Sequence, residues 1–97
     1  MKAMIIRESG EPSVFQAADI AVPDIAADQV LVRVAATSVN PVDWKIRKLN
    51  PPLAPDLPAV LHGDVAGVVE AVGADVSDFA VGDEVYGCAG GGKGTGG

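Results

Sequence analysis

Apolar and polar positions alternate along much of this chain with a period of two, the repeat of a strand that buries one face. Ala3 to Arg7 and Val14 to Ile20 read as a first pair of strands around the turn Glu8 to Pro12, whose Ser-Gly-Glu-Pro composition favours a backbone reversal. Val30 to Val39, V-L-V-R-V-A-A-T-S-V, is rich in β-branched residues and sets Val30, Val32 and Val34 on one face, so it is expected at the centre of the sheet. From Gly63 the alternation resumes, with Val65, Gly67, Val69 and Ala71 opposed to Ala66, Val68, Glu70 and Val72. Ala74 to Gly82 makes a turn, and Glu84 to Tyr86 begins a further strand.

The period changes once. Asn40-Pro41 reads as a helix N-cap followed by proline at the first helical position, and Val42, Ile46 and Leu49 then fall on one face at i, i+4 and i+7. The opposite face carries Asp43 and Arg47, spaced to pair across one turn. Asn50-Pro51-Pro52 ends this short helix, Pro51 to Pro58 is expected as an extended loop, and Ala59 to Leu61 lead into the glycine-bearing strand. Glycines at Gly63, Gly67 and Gly73 weaken a strand unless the sheet bends there or another group approaches the backbone closely, as in a tightly curved barrel beside a ligand.

Length and charge narrow the classes open to the chain. Its 97 residues suit one domain, which buries on the order of 65% of its unfolded surface. A net charge of −6 argues against nucleic-acid or anionic-membrane partners, which clustered Lys and Arg would bind. No apolar run approaches transmembrane length, and Met1-Lys2-Ala3 enters a strand pattern directly, so a cytoplasmic protein is expected. The lone Cys88 forms no internal disulfide, which fits a reducing compartment. From Gly87 to Gly97 the composition collapses to G-C-A-G-G-G-K-G-T-G-G, expected as a loop or a disordered end rather than a regular element. Gly87 to Lys93 matches the first part of a phosphate-binding loop, but Gly94 stands where that loop needs Ser or Thr, which argues against the role.

Asp64, Gly67, Val69, Val72 and Gly73, followed by the turn Gly82, Asp83 and Val85, together with Asn40, Pro41 and Asp43 upstream, resemble two spaced motifs of one family. That family is the medium-chain dehydrogenases/reductases of the alcohol dehydrogenase superfamily, in their zinc-independent quinone oxidoreductase-like branch. The resemblance runs from Lys2 to Gly87 and implies a mainly β fold, a GroES-like, partly open barrel with one short helix. It makes residues 1–97 an incomplete N-terminal catalytic domain, with 87–97 as its glycine-rich tail. In the full-length enzyme it implies a Rossmann domain beyond this chain, a homodimer formed through that missing domain, NADP in preference to NAD as cofactor, and quinones or α,β-unsaturated carbonyls as substrates. The fragment alone is then expected to be inactive. A zinc-type alcohol dehydrogenase and a non-catalytic, stand-alone β-barrel binding module are the alternatives.

Aligned on Asp43 and Gly67, the resemblance places Asn40 and Gly63 where zinc-using relatives carry Cys and His ligands, and Asp64 where they carry Glu. Asn and Gly do not ligate zinc, so no metal is expected; His62 is offset by one residue onto the opposite strand face. Without a metal, charge developing on a carbonyl oxygen must be met by hydrogen-bond donors. Asn40 offers such a donor without titrating, and the resemblance puts it beside the nicotinamide as catalytic and cofactor-binding residue; on local grounds it equally serves as a plain N-cap. Asp43 is a second candidate cofactor contact. Trp44 could wall an apolar pocket for a flat substrate, with Gly63 leaving room beside it, or simply pack.

Overall fold

The computed structural model describes residues 1–52 and 54–88. Strands dominate them. β1 (Lys2–Ile6) and β2 (Phe15–Asp19) form an antiparallel pair, while β3 (Val30–Ala36), β4 (Asp64–Val72) and β5 (Glu84–Cys88) form a second antiparallel sheet in the order β3-β4-β5. One helix, α1 (Pro41–Leu49), connects the sequence between β3 and β4. This is the mainly β plan with one short α-helix that the sequence resemblance implies.

The core is small and lies between α1, β1 and the segment entering β4. Ile6, Ile46, Ala54, Ala59 and Leu61 are buried together, with Val14 and Phe15 packed against them. Ala59 bridges Ile6 through two backbone hydrogen bonds, Ile6 N–H to Ala59 O at 2.9 Å and Ala59 N–H to Ile6 O at 3.0 Å. The helix is tied to the β1–β2 connection by Gly10 N–H donating to Arg47 O at 2.9 Å and by Arg47 Nε donating to Gly10 O at 3.1 Å.

Several elements depart from the pattern reading. β3 is an edge of its sheet and β4 is the middle strand, because β4 alone finds a partner on both sides. β3 also stops at Ala36: its pairing with β4 shifts register after Leu31 and after Val34, and these bulges turn the chain so that Val34 and Val39 are exposed. The residues up to Val14 form a turn of 3₁₀ helix, so β2 begins one residue late. On α1 the buried positions are Asp43 and Ile46, whereas Val42 and Leu49 face solvent. Asp43 is accommodated inside because its carboxylate reaches back to the helix N-terminus, and Arg47, expected to pair with it, turns instead to the Gly10 carbonyl. Gly87 and Cys88, expected in the loop, pair with Val65 and Asp64 as the end of β5. The remainder of the glycine-rich tail and of the partial phosphate-loop motif lies outside the described residues.

Close backbone approach bears out the glycine reading at Gly67 and Gly73. A methyl group at Gly67 would sit 2.9 Å from the Arg33 carbonyl carbon on β3, and one at Gly73, just past the end of β4, would meet the carbonyls of Ala26 and Ala27. The central strand carries Asp64 at its first residue.

Candidate functional site

The site grows from the end of β3, the start of α1 and the first residue of β4. After Ala36 the chain leaves the sheet, and Thr37 Oγ1 donates to the Asp64 carbonyl at 2.7 Å, so the departing segment stays pinned to β4. Asn40 takes the extended conformation of an N-cap and Pro41 the first helical position, as the sequence predicts. Asp43 supplies one arm of a capping box, Asn40 N–H donating to Asp43 Oδ2 at 2.7 Å. Asp43 is buried and is held at the positive end of the helix, where a carboxylate is favoured.

The Asn40 side chain points the other way. Its Nδ2 donates to Asp64 Oδ2 at 2.9 Å and makes only a long contact, 3.4 Å, with Ser38 Oγ. Ser38 Oγ donates to the same carboxylate oxygen in a short hydrogen bond, and the Cys88 thiol, across the ladder on β5, donates to Asp64 as well. The Ser38 hydroxyl first, then the Asn40 amide and with them Cys88, hold the Asp64 carboxyl below its ordinary value against a smaller opposing effect of burial. A donor network of neutral groups therefore surrounds an ionised carboxylate.

Asp64 borders an open cleft of about 450 Å³ between the end of β3 and the β4–β5 ladder. Thr37, Ser38, Val65, Ala66, Tyr86 and Cys88 are among its walls. Asn40 adjoins the cleft through its bonds to Ser38 and Asp64 without lining it; Trp44, Gly63 and Asp43 do not line it either. Trp44 is half exposed on α1, with Lys45 Nζ 5.9 Å from its ring centre. His62 has a left-handed backbone, φ 79°, and its ring meets Phe15 edge-on at 6.4 Å, so its contact is with the apolar core. Among the described residues no three His, Cys, Asp or Glu side chains converge as a metal site.

Ser38, Thr37 and Cys88 escaped the sequence reading as site residues. Ser38 and Thr37 sit at a strand end where hydroxyl residues are unremarkable, and Cys88 is brought to Asp64 only by cross-strand register. The one available signal was the position of Asp64 in its motif.

Comparison with known proteins fits this geometry. The alcohol dehydrogenase GroES-like domain model matches residues 26–96. A 2-methylene-furan-3-one reductase of Solanum lycopersicum is 47% identical over 90 residues, which cover 90% of this chain and 23% of that protein. The quinone oxidoreductase of Homo sapiens is 45% identical over 87 residues, covering 89% of this chain and 26% of that one. Among solved structures, the Escherichia coli quinone oxidoreductase complexed with NADPH superposes with a TM-score of 0.83 at 32% identity, over 91% of this chain and 27% of that one. The chain thus spans about a quarter of the length of the relatives it matches. A strand-rich fold with one capped helix, the spaced motifs and these matches together make the chain a member of the alcohol dehydrogenase GroES-like domain family, of the quinone oxidoreductase-like medium-chain dehydrogenases/reductases.

Proposed function

We propose that this chain is the N-terminal catalytic domain of an oxidoreductase that reduces quinones or α,β-unsaturated carbonyls with a nicotinamide cofactor, NADPH in preference to NADH, and without zinc. The observation that carries the reading is the Asn40 carboxamide, anchored on Asp64 beside an open cleft. It stands at the position where zinc-using relatives carry a cysteine ligand. The names of the relatives, an NADPH-dependent alkenal/one oxidoreductase of Arabidopsis thaliana among them, support the substrate class and the cofactor. The whole protein is proposed to act in the cytoplasm as a homodimer assembled through parts outside this chain.

The donor set favours the metal-free version. Asn40 and Gly63 offer no ligand atoms suited to zinc, and Asp64 Oδ2 is already engaged by Ser38 and Asn40. A bound nicotinamide cofactor supplies the hydride. This chain supplies the groups that orient the carbonyl and meet its charge. Of the two Asn40 Nδ2 hydrogens, one is held by Asp64 and the other only loosely by Ser38, so the second is free to donate to a carbonyl oxygen as negative charge develops. Asp43 fixes Asn40 from the helix side.

Turnover of a quinone and an enone by the full-length protein with NADPH, accompanied by elemental analysis, tests the proposal. Asn40→Ser keeps a good N-cap and removes the amide, so turnover is expected to drop by about a hundredfold with a stability change within about 1 kcal/mol. Stoichiometric, tightly held zinc would overturn the metal-free reading. Wild-type turnover in the Ser variant would remove Asn40 from the chemistry.

A further inference from the structure

The hydrogen bonds around Asp64 run in one direction. Thr37 donates to its carbonyl; Ser38, Asn40 and Cys88 donate to its carboxylate. All four donors are neutral. The two ion pairs found among the described residues, Met1 with Asp19 and Lys48 with Glu11, lie elsewhere, so among these residues no cation pairs with Asp64. Asp43 places a second carboxylate on the other side of Asn40, and the chain as a whole carries a charge of −6. The cleft, whose exposed lining is mainly apolar, therefore has a negative charge at its border.

Building on the oxidoreductase reading above, we propose that Asp64 is a specificity-determining residue that favours neutral quinones or enones in the cleft over those bearing a carboxylate or sulfonate. An anionic group on a substrate in this cleft meets the like charge of Asp64. The cost is small because the cleft is open to water, where two unit charges about 10 Å apart repel enough to change an equilibrium roughly twofold. Charge developing on the carbonyl oxygen during reduction is common to neutral and anionic substrates, so it cancels when the two are compared.

The test uses the full-length protein and one matched pair, the 4-(3-oxobut-1-enyl)benzoate anion and its methyl ester, which differ in net charge at the end remote from the enone. Both kcat/KM with NADPH and the dissociation constants of the two compounds are measured at low and high salt. The ester is expected to be favoured by about twofold at low salt. The preference should shrink as screening increases above about 0.5 M salt. In Asp64→Asn the two compounds should be handled about equally at low salt. Equal handling of the two compounds by the wild type, or a preference unchanged in Asp64→Asn, overturns the proposal. Should that variant not fold, the salt dependence of the wild-type preference decides, and a flat profile overturns it. Should neither compound be reduced, the proposed function falls, while the ratio of dissociation constants still judges the role of Asp64; binding of neither compound overturns that role too.

Discussion

Replacing Gly67 with alanine adds one methyl group at the most crowded point of the central strand. The new carbon would lie 2.9 Å from the Arg33 carbonyl carbon, nearer still to its oxygen, and 3.0 Å from Val32 Cγ1. Two of these neighbours are backbone of β3, so no rotamer change relieves the contact, and β3 must move away from β4. Gly67 pairs with Val34, and Val68 with Arg33, so the displacement falls on the ladder itself. Overpacking costs about 1–3 kcal/mol, and each ladder hydrogen bond that is stretched or lost adds about 1 kcal/mol. The expected loss is therefore about 3 kcal/mol, a large share of the 5–15 kcal/mol typical of a folded protein. For a domain of this size that lowers Tm by roughly 12–24 °C. Urea denaturation followed by circular dichroism measures it directly. Gly87→Ala is the control: it lies on β5 with nothing within 4 Å of the added carbon, and it should leave stability unchanged or raise it by up to about 0.5 kcal/mol. A Gly67→Ala protein within about 0.5 kcal/mol of wild type would refute the close-approach account of this glycine. The site responds to the same perturbation, since Asp64 begins the strand that would shift.

Asn40→Asp retains a good N-cap but replaces an amide nitrogen 2.9 Å from Asp64 Oδ2 with a carboxylate oxygen. The two acids then share a raised apparent pKa, so this variant should be less stable than wild type near pH 7 and regain stability as the pH falls and the pair takes up a proton; a wild-type pH profile of denaturation midpoints would sink that expectation. Asp64 itself behaves with the opposite sign. Its folded-state pKa is lowered by Ser38 and Asn40, so its contribution is present above the ordinary carboxylate range and is lost as the pH falls through the lowered value. Acid unfolding below about pH 4 should accordingly be shallower in Asp64→Asn than in wild type, and identical acid limbs for the two proteins would contradict the assignment.

The elements themselves were legible along the chain because each rests on local rules. Period-two alternation marked β1, β3 and β4, and Asn40-Pro41 announced α1 through its cap. The glycines of β4 signalled close approach before any neighbour was known. What alternation could not supply was the partner of each strand. β3 looked central from its β-branched Val30, Val32 and Val34, yet order within a sheet is decided by which strand finds two neighbours, and that is β4.

The candidate site divides in the same way. Asn40, Asp43 and Asp64 stood out in the sequence because their motifs are short-range, and a cap is a relation between residues three apart. The burial of Asp43, the exposure of Val42 and Leu49, and the turn of Arg47 toward Gly10 depend on which surface meets the helix, which its own periodicity does not specify. The joining of Ser38, Asn40 and Cys88 to one carboxylate spans up to 50 residues of chain and arises only when β5 pairs with β4 in the observed register and the end of β3 bends across β4. Local sequence chose the functional groups; cross-strand register, a long-range property of backbone hydrogen bonding and packing, decided that they converge on Asp64.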